Sequence, residues 1–135
     1  AYKNMNAYKL FVLDVGLLGA MSELPAESIL EGNDIFVEFK GALTEQYVLQ
    51  QLISDTPYTP YYYGNEKATF EQDFLIQKAK SIVPIEVKAE QNIRSHSLKT
   101  YCEKFQPEEA VRFSTLKYKE QEWMVNIPLY AVCNL

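Results

Sequence analysis

The amino-acid sequence predicts a mixed α/β domain in which three successive strands lie between two helices. Apolar residues recur at helical spacing in two separate stretches, and the segments between them are rich in aromatic and β-branched residues broken by turn residues. This order of elements is typical of a mixed sheet with helices packed on it. A length of 135 residues with 47% hydrophobic and 23% charged residues is the balance of a globular protein, so we expect a single domain over residues 1–135.

Two helices are predicted on either side of the strands. The longer one runs to Ser54, with Asn33 or Asp34 as its N-cap. It ends before Pro57, because the residue before a proline disfavours the helical backbone. The second helix is predicted over Ile93–Phe105, where apolar residues again recur three and four positions apart.

The N-terminal part carries a shorter element. Lys9–Leu13 is predicted to be a short strand or an extended segment. Asp14 follows it and can act as the N-cap of a short helix over Val15–Met21, because an aspartate side chain accepts hydrogen bonds from the free N–H groups of a first helical turn. The given sequence has no initiator methionine, and Tyr8–Leu13 resembles the middle of an element. We therefore expect the chain to be part of a longer protein.

The strands are predicted from β-rich stretches bounded by turn residues. A hairpin is expected at Lys78–Ser81, because this short polar stretch separates two of them. The predicted strands are Tyr61–Tyr63, Thr69–Gln77, Ile82–Lys88 and Ala110–Phe113, and the segments Glu122–Val125 and Leu129–Val132 close the chain.

Acidic residues lie on one face of the two strands that form the hairpin. Because side chains alternate between the faces of a strand, Glu71 and Asp73 share one face of the first strand, opposite its phenylalanines. Glu86 and Lys88 likewise share one face of the next strand. If the strands pair, the backbones of Asp73 and Glu86 lie about 5 Å apart, and Lys88 lies about 7 Å further along its strand.

Such an arrangement indicates a candidate divalent-metal site. Two ionised carboxylates at this distance repel each other, and the oxygen-binding cations Mg²⁺ or Mn²⁺ remove the penalty. Lys88 beside the metal can offset charge that grows on a phosphate. Glu45 of the long helix is the expected third acidic ligand, with Glu38 as the alternative. The competing interpretation is a solvated strand face with an ordinary ion pair, which contributes under about 1 kcal/mol.

The spacing also resembles a known pattern. Asp73, followed thirteen residues later by Glu86-Val87-Lys88, is similar to the PD-(D/E)xK nuclease motif, although Gln72 replaces its proline. The flanking sequences resemble a domain of unknown function found at the C-terminus of bacterial and archaeal AAA-type ATP-binding proteins. The segments that carry this resemblance are Lys9–Leu18, Phe39–Val48, Asp73–Ile76, Pro84–Glu90, Asn92–Tyr101 and Ile127–Ala131.

The resemblance implies a restriction-endonuclease-like fold and a metal-dependent nuclease activity. It implies that Asp73, Glu86 and Lys88 are catalytic, and that Asp73, Glu86 and Glu45 hold the metal. It further implies an N-terminal ATPase domain of the same protein, which alone binds ATP, and it leaves open whether the protein forms an oligomer. The alternative is a catalytically inactive nuclease-fold module that serves ATPase regulation or partner docking.

The charge balance limits the partners. A net charge of −5 argues against a stand-alone, nonspecific DNA-binding module, because such proteins neutralise phosphates with a basic surplus. Any nucleic-acid contact is therefore expected to be local, metal-assisted or supplied by another part of the protein. The two cysteines fit buried thiols in a reducing cytoplasm, and neither a membrane span nor a signal peptide is expected.

Overall fold

A computed structural model describes residues 8–25, 27, 34–64, 70–89 and 95–135, with the backbone alone for 34–38. Its helices are α1 (Val15–Met21), α2 (Asp34–Asp55) and α3 (His96–Phe105), with a closing 3-10 helix over Leu129–Asn134. Its strands are β1 (Tyr61–Gly64), β2 (Glu71–Lys78), β3 (Ser81–Lys88), β4 (Val111–Ser114), β5 (Lys119–Glu120) and β6 (Val125–Pro128). The predicted order of the three α-helices and of strands β1 to β4 is confirmed over these residues, whereas β5 was not predicted and Leu129–Val132 lies in the 3-10 helix.

The strands form one mixed sheet in the order β1-β2-β3-β4-β6-β5. β1, β2 and β3 are antiparallel neighbours, whereas β3, β4 and β6 run parallel to one another. The hairpin between β2 and β3 is confirmed at the predicted place, and Ala79 in its turn has a positive φ of 55°. The predicted fold class, a mixed α/β sheet flanked by helices, is therefore confirmed.

Helices cover both faces of the sheet. Val48 and Leu52 of α2 are fully buried against one face, which the central strands supply with apolar residues such as Phe74 and Ile85. On the other face Leu98 of α3 packs with Ala110. The Glu86 side of β3 therefore lies under α3, while the Ile85 side lies under α2.

The N-terminal elements are partly as predicted. α1 spans the predicted residues, and the Asp14 side chain accepts a hydrogen bond from the Leu17 N–H at 2.8 Å. Lys9–Leu13 forms no strand and runs along α2 instead. The predicted cap Asn33 lies outside the described residues. No helix in the described part of the chain has the length and apolarity needed to cross a bilayer.

Candidate functional site

The N-terminal segment, residues 8–15, is held against α2 by glutamine side chains. Gln46 is 2% exposed and binds both polar groups of one peptide residue, because its Oε1 accepts from the Val12 N–H and its Nε2 donates to the Val12 C=O, each at 3.0 Å. One helical turn later, the Gln50 Oε1 accepts from the Val15 N–H at 3.0 Å. These hydrogen bonds satisfy backbone N–H and C=O groups of the segment, which a neighbouring strand would satisfy if the segment were part of a sheet.

This anchoring places the Lys9 ammonium between two carboxylates. The Lys9 Nζ donates to Glu45 Oε2 at 2.7 Å and lies 3.6 Å from Asp73 Oδ1. It also lies 5.6 Å from the centre of the Tyr62 ring, within the range of a cation–π interaction. Burial alone lowers the pKa of Lys9, but the hydrogen bond to Glu45 and the charges of Glu45 and Asp73 raise it overall. Lys9 is therefore a charged member of the site.

Asp73 connects this group to the strand that carries the Glu-x-Lys sequence. Its Oδ2 accepts a hydrogen bond from the Val87 N–H at 2.8 Å, and Val87 lies between Glu86 and Lys88. The pKa of Asp73 is raised, first by burial and then by the charge of Glu45. The Val87 N–H and the ammonium groups of Lys9 and Lys88 offset part of that rise. The predicted proximity of Asp73 to the Glu-x-Lys strand is thus present.

Glu86 has a different set of partners. It is 3% exposed, its Oε1 lies 2.6 Å from the Lys88 Nζ, and its Oε2 accepts from the Leu98 N–H in the first turn of α3 at 3.0 Å. Behind it, the buried Arg112 donates from Nε to Asn126 Oδ1 at 2.8 Å. Burial lowers the pKa of Arg112, and the charge of Glu86 opposes that shift. Glu86 therefore connects β3 with the first turn of α3, and its charge acts on Arg112, its neighbour in the register of β3 and β4.

The predicted ligands thus form two groups rather than one cluster. Glu45 and Asp73 meet through Lys9, and Glu86 meets Lys88. Within the described ranges, no three histidine, cysteine, aspartate or glutamate residues are gathered in a way that could hold a metal ion. The side chain of the alternative ligand Glu38 lies outside the described residues. A Mg²⁺ or Mn²⁺ ion at these carboxylates would have to displace the Lys9 or Lys88 ammonium groups that contact them.

The sequence analysis did not predict which basic residues of the chain lie beside the carboxylates. Lys9 lies 36 positions before Glu45, and Arg112 reaches Glu86 only through the parallel pairing of β3 with β4. Periodicity within one element cannot indicate contacts of this kind. The one available signal was that Lys9 opens the first segment of the family resemblance.

An apolar groove lies away from these residues. It has a volume of about 510 Å³ and lies between α2 and the carboxyl ends of β4 and β6. Leu43, Tyr47, Leu129 and Tyr130 are among its lining residues, and Lys40 supplies a positive charge. None of the candidate carboxylates lines it, so the groove and the acidic groups are separate features.

Comparison with known proteins identifies a family. No curated protein and no solved structure matches the chain. A family model described as "Domain of unknown function (DUF4143)" matches residues 40–131, which is more than half of the chain. The matched region contains Glu45, Asp73, Glu86 and Lys88, whereas Lys9 lies before it. The chain therefore belongs to the DUF4143 family of domains of unknown function.

Proposed function

We propose that this domain is a non-catalytic nuclease-fold module that docks onto, and regulates, the N-terminal ATPase domain of an AAA-type ATP-binding protein. The observation that carries the proposal is that each carboxylate predicted to bind metal is bound by a group of its own chain. Glu45 is bound by Lys9, Asp73 by the Val87 N–H, and Glu86 by Lys88 and the Leu98 N–H. The resemblance to PD-(D/E)xK nucleases then describes ancestry of the fold rather than present chemistry.

The burial of Glu86 supports this role. A carboxylate that is 3% exposed and ion-paired has already lost its hydration, and its partners compensate for that loss. A metal ion that recruited Glu86 would have to break the contact with Lys88 or with the first turn of α3. The metal would replace Lys88 as the partner of the carboxylate, and the Lys88 ammonium, whose side chain is 33% exposed, would have to be compensated by water or by another group. Structural use of this glutamate therefore competes directly with metal binding.

An apolar surface on the N-terminal elements supports the docking role. Leu10 and Leu13 are each 85% exposed, Leu17 is 43% exposed and Met21 is 66% exposed. α1 buries none of its own residues. These four exposed apolar side chains lie within twelve residues of the chain and offer a candidate contact with another protein surface. We assign it to the ATPase domain of the same protein, in an oligomeric cytoplasmic assembly.

A metal-dependent nuclease is the second candidate function. The observation that favours it is the position of Asp73, whose carboxylate touches the backbone between Glu86 and Lys88 and whose pKa is raised. Perturbed carboxylates beside a lysine are common in active sites. In this interpretation Asp73, Glu86 and Glu45 are the metal ligands and nucleic acid is the substrate.

A cleavage assay separates the two candidates. The full-length protein, with its ATPase domain, is incubated with Mn²⁺ and ATP and with single- and double-stranded DNA and RNA. The matched control is Asp73→Ala in the same protein. We expect the wild type to show no more cleavage than the Asp73→Ala variant. Cleavage by the wild type that Asp73→Ala abolishes would contradict the docking proposal and establish the nuclease.

A second experiment tests the docking surface directly. In the full-length protein, Leu13→Ser combined with Leu17→Ser should change the rate of ATP hydrolysis, because it removes apolar area from the proposed contact. Ile82→Ser is the matched control, since Ile82 is also an exposed aliphatic residue, at 44%, and lies on β3 of the sheet rather than on α1 or α2. An ATP hydrolysis rate that is unchanged in the double variant would contradict docking through the N-terminal elements.

A further inference from the structure

We infer that Glu45 and Asp73 form a binding site for a primary ammonium group, which Lys9 fills, and that the domain holds residues 8–15 as it would hold a bound peptide. This inference concerns the ligand of the acidic pair. It is independent of the ATPase domain that the apolar surface is proposed to contact.

The contacts to the segment fall into the two classes that peptide recognition requires. One class is independent of the segment's side chains, because Gln46 and Gln50 bind only the backbone of Val12 and Val15. The other class reads one side chain, because the Lys9 ammonium is bound by Glu45 and Asp73. Backbone contacts supply affinity and a few side-chain contacts supply specificity in peptide recognition.

The remaining side chains of the segment agree with this division. Phe11 packs on Phe74 with ring centres 5.8 Å apart, so it contributes an apolar anchor. Leu10 and Leu13 point away from the domain and are 85% exposed. The domain therefore recognises the side chains of Lys9 and Phe11. The hydrogen bonds to the Val12 backbone fix the position of the segment along α2.

The geometry around Lys9 suits an ammonium ion better than a divalent metal. An ammonium group donates hydrogen bonds to oxygen at about 2.7–3.2 Å, and the contact with Glu45 at 2.7 Å is of this kind. Mg²⁺ instead requires close to six oxygen ligands at about 2.0–2.1 Å. The Tyr62 ring fills one side of the site and attracts organic cations through its face. The Tyr62 hydroxyl donates to Glu71 at 2.7 Å, so this third acidic side chain near Lys9 has a partner of its own.

Chemical rescue tests the proposed ligand class. In Lys9→Met the carboxylates keep their places but lose their ammonium partner. We expect this variant to have a lower Tm than the wild type, and we expect n-propylammonium chloride to raise its Tm more than NaCl at the same ionic strength. The wild type, whose site is already filled, should respond equally to the two salts. Lys9→Met combined with Glu45→Gln is the matched control and should lose the specific response to n-propylammonium.

A measurement on the wild type keeps the inference testable if Lys9→Met does not fold. Acetylation of the lysine amines is followed by mass spectrometry, and Lys9 should react several-fold more slowly than Lys78. Lys78 is the matched comparison, because it is also ion-paired, to Glu109 at 3.1 Å, and its side chain is 38% exposed against 26% for Lys9. Acetylation of Lys9 as fast as Lys78 would overturn the inference.

A titration with Mn²⁺ tests the competing interpretation, in which Glu45 and Asp73 bind a divalent metal. Mn²⁺ is titrated into the wild type and into Asp73→Asn, and bound metal is followed by electron paramagnetic resonance. We expect neither protein to bind Mn²⁺ saturably at millimolar metal. Saturable binding by the wild type that Asp73→Asn removes would show that the acidic pair prefers a divalent metal to Lys9, whatever the result of the ATP hydrolysis experiment.

Discussion

The substitution Glu86→Ala distinguishes a structural glutamate from a metal ligand. The side chain is 3% exposed, accepts from the Leu98 N–H and pairs with Lys88, and it lies near the buried Arg112. Loss of a hydrogen bond to a charged acceptor costs about 1.5–3 kcal/mol. Removal of one partner of a buried ion pair costs about 3–5 kcal/mol in all, because a charge is left without compensation. We therefore expect Glu86→Ala to lower the free energy of unfolding by about 3–5 kcal/mol.

A glutamate kept for metal binding predicts the opposite sign. Without metal, removing one of several repelling carboxylates leaves stability unchanged or increases it. Glu86→Gln gives an intermediate test, because its amide oxygen still accepts from the Leu98 N–H while the charge near Arg112 is lost. We expect that variant to lose about 1–3 kcal/mol.

Urea denaturation followed by circular dichroism measures both variants. The control is Glu120→Ala, which removes an exposed acidic side chain from β5 of the same sheet and should change stability by less than about 0.5 kcal/mol. The comparison requires an unchanged dependence on urea concentration, so that the midpoints report stability alone. A loss below about 1 kcal/mol for Glu86→Ala, in a protein that still unfolds cooperatively, would refute the structural role and revive the metal-ligand interpretation.

Three other variants test the packing and the charges of the same region. Leu52→Ala, at a fully buried position of α2, should cost about 2–5 kcal/mol in urea denaturation, and Leu49→Ala, which is only partly buried, should cost less; equal costs would contradict the described burial. Asp73→Asn should leave stability at pH 7 unchanged or higher, because the folded pKa of Asp73 lies above its ordinary value of 3.8. The folded wild type then binds the proton more tightly than the unfolded chain, so the wild type gains on the variant as the pH falls through the folded pKa towards 3.8. Denaturation at pH 7 and pH 4 checks the sign, and a marked loss in Asp73→Asn at pH 7 would identify the aspartate as a structural hydrogen-bond acceptor that an amide cannot replace.

The elements that local patterns could predict are those whose cause is local. The cap at Asp14 needs only an acceptor beside the free N–H groups of the next turn, and it forms where predicted. The hairpin between β2 and β3 follows from two β-rich stretches joined by a short turn, and its register pairs Phe74 with Ile85. Lys9–Leu13 differs, because the backbone of Val12 bonds with the Gln46 side chain of α2, 34 positions away. No pattern within five residues distinguishes that arrangement from a short strand.

The candidate site shows the same limit in electrostatic terms. Strand parity predicts that Asp73 and Glu86 approach each other across the hairpin, and the contact of Asp73 with the Val87 N–H agrees with it. Parity does not say which cation neutralises the carboxylates once they are close. A divalent metal and the lysine side chains of the chain itself satisfy the same requirement, because each lowers the cost of holding negative charge in a partly buried place. The choice between them depends on where Lys9 and Arg112 arrive from other parts of the fold. An Asp, a gap and a Glu-x-Lys therefore predict where negative charge collects, and the partners of each carboxylate decide whether that charge is free to do chemistry.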